Sequence, residues 1–224
     1  VEQVRAYEDS EHRRQLAAAI VRGSIHNMRT NVVYYNGRDH DLDTVIEELE
    51  QVAARVDEAL PIDELLGIEA TARKAYYQSF NEILPSEFQL SRREYNPPPN
   101  EINSLISFGN SLVYANSISA IRATALDPTI SYLHEPGERR YSLSLDIADL
   151  FKPVLADRVL FRLVNRNQIS ASDFETELGS CLLNEAGRET YSKAFEETLK
   201  RTVDHPKLNR KVSYFDLPDL AELR

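Results

Sequence analysis

Three side chains in one stretch of the chain carry groups that bind metal ions. His134, Asp146 and Asp149 lie in the run LDPTISYLHEPGERRYSLSLDIADLFKP. Asp146 and Asp149 are three residues apart in a segment with helical periodicity, so we expect both carboxylates on one helix face. Hard divalent cations prefer carboxylate oxygens, and an imidazole among them favours manganese over calcium. Such a cluster indicates metal-assisted chemistry on a phosphate. On spacing alone, the alternative is a pair of solvated carboxylates and a surface histidine.

Composition limits the classes of protein to consider. The 224 residues are 42% hydrophobic, which is enough for a packed core. No stretch has the apolar length of a membrane span, and no basic-then-apolar leader opens the sequence, so we expect a cytoplasmic protein. The only cysteine, Cys181, excludes an intrachain disulfide and is expected to be buried.

The charge is acidic but unevenly distributed. A net charge of −10 argues against nucleic-acid binding over the whole surface. However, residues 39–64 hold ten acidic side chains and one basic one, whereas residues 184–211 hold seven basic and five acidic ones. One face can therefore be locally basic and contact DNA. Arginine outnumbers lysine 20 to 6, and scarce lysine with excess acid is what we expect of adaptation to high salt.

Helical periodicity dominates and predicts a mainly α architecture, as a single domain over residues 1–224. The predicted helices are Ser10–Thr30, Asp43–Leu60, Ile62–Tyr76, Glu101–Leu126, Ser142–Phe151, Val154–Asn165 and a helix from the N-cap Asn184 to about Val203. The remaining predictions are a loop over Leu84–Asn100, a short helix begun by Asp127 and Pro128, an interruption at Lys152 and Pro153, and a short hairpin within Ile169–Leu183.

Three stretches together resemble a known family. The run around His134 is similar to the signature of the CRISPR-associated integrase, the Cas-one family of spacer acquisition, with its DP turn, its hydrophobic run ending in LH and its F-R/K-P ending. Residues 66–70 with Tyr76 and Tyr77 resemble the family segment G-x-E-G-x-x-A-x-x-Y-F, and residues 103–109 resemble N-A-L-L-S-F-G-Y. The departures are Ala70 for glycine, Asn110 for tyrosine and Ser24 for a frequent lysine.

The resemblance implies a site and a fold. It implies that Glu69, His134 and Asp149 are ligands of Mg²⁺ or Mn²⁺, and that Asp146 is a catalytic neighbour or a carboxylate that orients a ligand. It implies a mainly helical catalytic domain, with the family's N-terminal β domain apparently absent from this chain. The candidate DNA contacts near these motifs are Arg73, Lys74, Asn103, Arg139, Arg140 and Lys152.

The function that the resemblance implies is that of a metal-dependent DNA endonuclease and integrase. Such a protein inserts spacer DNA into a CRISPR array by transesterification with a 3′-hydroxyl, as part of antiviral defence. The implied partners are double-stranded DNA, a Cas-two protein and a second copy of the chain, with no membrane. Two alternatives stay open: a catalytically silent DNA-binding or scaffold module, and an integrase of a related mobile element.

Overall fold

The computed structural model describes residues 1–38, 40–136, 141–205 and 210–213, and these are mainly helical, as predicted. The described helices are α1 (Glu2–Glu8), α2 (Ser10–Asn36), α3 (Asp43–Ala53), α4 (Ile62–Ile83), α5 (Glu101–Arg122), α6 (Ser142–Lys152), α7 (Arg158–Asn165) and α8 (Glu185–Leu199). Two antiparallel hairpins follow α7 and α8: β1 (Phe174–Glu177) with β2 (Ser180–Leu183), and β3 (Thr202–His205) with β4 (Arg210–Ser213). Short 3-10 turns lie at Ser86–Phe88 and Ala171–Asp173. Among the described residues, no helix is both long and apolar enough to cross a membrane.

Helix α2 packs against α3, α4 and α6 and contributes a buried face to the core. Its buried face carries small and medium apolar side chains at helical spacing, including Ala17, Val21, Ile25 and Met28. Gly23 brings the α2 backbone close to α6, because a Cβ at this position would lie 2.7 Å from Leu150 Cδ2. This close approach places polar side chains of α2 beside the α6 backbone.

Helix α6 runs into α7 through a π-helical turn over Pro153–Asp157, where we expected an interruption. Proline keeps a helical backbone here, with φ −62° and ψ −37°, although it has no N–H to donate. The predicted helix from Val154 therefore begins as a wider turn and becomes α-helical at Arg158. Such turns are rare and often occur at functional sites.

Several helix boundaries differ from the predicted ones. Helix α2 continues to Asn36, α3 stops at Ala53, α8 stops at Leu199, and α1 was not predicted. The predicted short helix at Asp127 is a turn instead, because Asp127 Oδ1 accepts hydrogen bonds from Thr129 N and Oγ1.

The predicted hairpin and the predicted N-cap are both present. Leu178 and Gly179 have φ values of 50° and 78°, which is the left-handed pair that a two-residue hairpin loop needs. Asn184 Oδ1 accepts a hydrogen bond from Gly187 N at 3.0 Å and so caps α8. Cys181 is buried, as expected.

Candidate metal and nucleic-acid site

Asp146, on α6, accepts hydrogen bonds from backbone amides of the loop before this helix. Its carboxylate is fully buried. Oδ2 accepts from Tyr132 N at 2.8 Å and Leu133 N at 3.1 Å. Oδ1 accepts from His134 N at 3.0 Å and lies 2.8 Å from His134 Nδ1. Because both oxygens are occupied within the chain, the geometry favours an orienting role for Asp146 over direct contact with a metal or substrate.

His134 is held by Asp146 on one side and faces Asp149 on the other. With Nδ1 donating to Asp146, the neutral ring presents its other nitrogen, Nε2, 3.7 Å from Asp149 Oδ2. Asp146 and Asp149 therefore do share one face of α6, as the spacing predicted. Burial, the largest influence, lowers the pKa of His134, but the hydrogen bond that His134 donates to Asp146 and the charge of Asp149 together raise it more, so the net pKa is raised.

Glu69, on α4, is joined to Asp149 through the side chain of Arg73. Arg73 Nε and Nη2 donate to Glu69 Oε1 at 2.7 and 2.5 Å, and Nη2 lies 3.5 Å from Asp149 Oδ1. Lys152 Nζ lies 2.5 Å from the same Asp149 oxygen. Burial raises the pKa of Asp149, but the positive charges of Arg73 and Lys152 lower it by more, so the net pKa is lowered. Two carboxylates from distant segments thus meet at one guanidinium group.

Polar side chains of α2 hold the backbone of Asp149. In a regular helix the amide of residue 153 would donate to the Asp149 carbonyl, but Pro153 has no N–H. Ser24 Oγ donates to this carbonyl instead, at 3.1 Å. Asn27 Nδ2 donates to Leu150 O at 2.7 Å. Sequence reasoning missed this role for Ser24, which is buried and faces the interior rather than DNA.

The signal for these α2 residues was present in the sequence. Ser24, Asn27 and Asn31 follow each other at intervals of three and four, so they occupy one face of the helix. Asn31 Nδ2 donates to Pro153 O at 3.2 Å. A polar stripe within an apolar helix face indicates a neighbouring backbone whose carbonyls need donors.

A second buried network lies behind the site. Tyr76 Oη donates to Asp157 Oδ2 at 3.0 Å and accepts from Asn31 Nδ2 at 2.8 Å. Tyr76 also packs edge-on against Phe80. Burial raises the pKa of Asp157 from 3.8 to about 6, against the lowering effect of the Tyr76 hydrogen bond and of nearby basic groups.

The predicted DNA contacts fall into four groups. Arg73 and Lys152 lie within the acidic cluster, and Lys74 is exposed on α4. Arg139 and Arg140 lie outside the described residues. Asn103, the remaining predicted contact, is buried.

Asn103 is fully buried, and both ends of its amide are engaged. Oδ1 accepts from Arg93 Nη1 at 2.9 Å and Glu94 N at 2.8 Å, and Nδ2 donates to Arg92 O at 3.0 Å. The amide therefore anchors the loop before α5, and its burial argues against the predicted phosphate contact.

The donor set can be tested against the metal that the resemblance implies. In the present arrangement, no group of three or more His, Cys, Asp and Glu side chains among the described residues is close enough to hold an ion. The chemistry of the donors still fits, because His134 Nε2 faces Asp149 Oδ2 and Glu69 is joined to Asp149 by Arg73. Two carboxylates and an imidazole suit Mg²⁺ or Mn²⁺, provided that the basic side chains yield some of their contacts.

Fold and site together define a helical domain in which acidic, imidazole and basic side chains from three segments meet. Residues 1–197 match the family model described as CRISPR associated protein Cas1. The chain belongs to this family. The CRISPR-associated endonuclease Cas1 of Haloferax volcanii is 57% identical over 96% of the chain, which spans 65% of that relative's length.

Solved structures agree with the fold. A CAS1 protein from Thermotoga maritima superposes with a TM-score of 0.85 at 39% identity, covering 99% of this chain and 68% of that one. A casposase bound to integration product has a TM-score of 0.81 at 23% identity, covering 99% of this chain and 65% of the casposase chain. At that identity the second likeness shows a shared fold alone.

Proposed function

We propose that this chain carries the catalytic site of a metal-dependent DNA endonuclease and integrase that inserts spacer DNA into a CRISPR array. The observation that carries the proposal is the placement of His134, fixed by Asp146 and facing Asp149, with Glu69 from a distant helix joined to Asp149 through Arg73. Membership of the Cas1 family and a relative named as an endonuclease support a nuclease class.

The reaction is a transesterification. A 3′-hydroxyl oxygen of the incoming DNA bonds to a phosphorus of the target strand, and the bond from that phosphorus to the target's own 3′-oxygen breaks. The proton of the attacking hydroxyl is lost and the leaving oxygen gains one, so the number of phosphodiester bonds is unchanged. Little covalent chemistry falls to the protein, and positioning dominates.

The residues have separate tasks in this scheme. Glu69, His134 and Asp149 would hold Mg²⁺ or Mn²⁺, which supplies polarisation of the phosphate and stabilisation of the leaving oxygen when bound. Asp146 fixes the orientation of the His134 ring. The basic side chains neutralise phosphates of double-stranded DNA. A Cas2 protein and a second copy of the chain are the proposed protein partners.

A strand-transfer assay tests the proposal. A labelled duplex with a free 3′-hydroxyl is incubated with a plasmid that carries a CRISPR repeat, in Mg²⁺ or Mn²⁺, with Cas2 added. We expect wild type to join the two and His134→Ala to lose the product. His26→Ala is the matched control, because His26 is exposed on α2, and it should retain transfer.

Three results would contradict the proposal. DNA binding by wild type without any cleavage or transfer would indicate a silent DNA-binding or scaffold module. Equal transfer into plasmids with and without the repeat would indicate an integrase of a mobile element. Unchanged transfer by His134→Ala would place the chemistry elsewhere.

A further inference from the structure

Arg73 and Lys152 occupy oxygens of two of the proposed metal ligands. Arg73 donates twice to Glu69 Oε1 and lies 3.5 Å from Asp149 Oδ1. Lys152 Nζ lies 2.5 Å from that same Asp149 oxygen. The side chains of Arg73 and Lys152 are only 17% and 18% exposed, so these contacts are shielded from water. Shielded ion pairs are screened much less by salt than surface pairs.

The charges of Glu69 and Asp149 are already balanced by those of Arg73 and Lys152. Asp146 is satisfied by three backbone amides and by His134, which leaves Glu69 and Asp149 opposite Arg73 and Lys152. With His134 neutral, the three carboxylates and the two basic side chains carry a net charge of −1, and a divalent ion would change it to +1. In a poorly hydrated place, excess positive charge is costly unless a cation withdraws or an anion arrives. The phosphates of DNA are such anions.

Arg73 is better placed than Lys152 to make this exchange. It contacts both carboxylates, whereas Lys152 contacts Asp149 alone. Within the part of the chain that the structure describes, Arg73 Nη1 makes no hydrogen bond. The guanidinium group therefore keeps free N–H donors in addition to the two that bond to Glu69. A planar guanidinium binds phosphate oxygens in pairs, as it binds carboxylates.

We propose that Arg73 is an exchangeable counter-ion: it competes with the divalent metal for Glu69 and Asp149, and it moves to a DNA phosphate when the metal binds. This inference rests on the proposed function. Metal alone therefore binds weakly, metal and DNA bind cooperatively, and each raises the affinity of the other by the same factor. A protein of this design keeps its site inactive until the substrate is present.

The test measures Mn²⁺ affinity by titration calorimetry, with and without a short DNA duplex that cannot react. For wild type, DNA should strengthen Mn²⁺ binding. Arg73→Gln should strengthen Mn²⁺ binding without DNA by about fivefold or more, the lower end of typical coupling between two ligands, and should weaken the enhancement by DNA. Arg73→Lys keeps the charge and should return the affinity toward that of wild type.

The control is Arg22→Gln, which breaks an exposed pair with Glu58 away from this cluster and removes the same charge. Its Mn²⁺ affinity should match that of wild type. Weaker or unchanged Mn²⁺ binding by Arg73→Gln, with a wild-type circular dichroism spectrum, would overturn the inference but leave the proposed function standing. Absence of Mn²⁺ binding in wild type, Arg22→Gln and Arg73→Gln, with and without DNA, would overturn both.

Discussion

Replacement of Asp157 by asparagine should make the protein's stability less sensitive to pH. Asp157 is buried in the π-helical turn and accepts a hydrogen bond from Tyr76 Oη at 3.0 Å. Its folded pKa is about 6, against 3.8 for an ordinary carboxyl. Because the folded state binds this proton more tightly than the unfolded state, the stabilisation is complete below about pH 4 and is lost as pH rises through about 6.

The size of the effect follows from the shift. Each pKa unit corresponds to about 1.4 kcal/mol, so a shift of roughly two units corresponds to about 3 kcal/mol in the free energy of unfolding. Asparagine cannot ionise, but its carbonyl oxygen still accepts from Tyr76. The free energy of unfolding of Asp157→Asn, relative to wild type, should therefore rise by up to about 3 kcal/mol between pH 4 and pH 7.5.

Urea unfolding followed by circular dichroism, at a series of pH values, measures this difference. Asp63→Asn removes one carboxylate from the exposed surface of α4 and shows how much of the change comes from net charge alone. A difference between Asp157→Asn and wild type that stays constant from pH 4 to pH 7.5 would show that burial does not hold the proton on Asp157.

Three further substitutions test the packing and hydrogen bonds around the site, each measured by urea unfolding. Ser24→Ala removes the hydroxyl that donates to the Asp149 carbonyl and should cost about 1–2 kcal/mol; no loss would mean that another donor takes its place. Asp146→Asn turns an amide N–H toward groups that already donate and should cost about 2–4 kcal/mol; a stable variant would contradict the four-donor geometry. Gly109→Ala places a Cβ against the Tyr191 hydroxyl and should cost about 1–3 kcal/mol; unchanged stability would show that Tyr191 can withdraw.

The sequence predicted the local half of the site. Asp146 and Asp149 at a spacing of three residues had to share a helix face, and they do. The contribution of Glu69, from a distant helix, has no comparable pattern in the sequence. Glu69 lies 80 residues before Asp149, and no periodicity can show that two helices meet there, so its place depended on the family resemblance.

The sequence also did not show which polar side chains form hydrogen bonds with nearby backbone groups. Asn103 matched a family motif and was assigned to DNA, but its amide completes hydrogen bonds of the loop before α5. Asp127 and Pro128 have the residue types of a helix start, but the Asp127 side chain bonds to Thr129 and closes a turn. In both cases a polar side chain satisfies nearby backbone groups, and residue type alone does not show which partner it chooses.

Pro153 explains why the site needs α2 as well as the segments that carry its charged groups. A proline at this position removes the donor that would hold the Asp149 carbonyl within α6. The missing hydrogen bond is supplied from outside the helix, by Ser24, and the neighbouring Gly23 leaves room for the Leu150 side chain between α2 and α6. An external donor fixes the position of Asp149 relative to the core, whereas an internal one would fix it only relative to its own helix. The carboxylate that His134 faces is thus held by tertiary structure, which is the rigidity that a metal ligand requires.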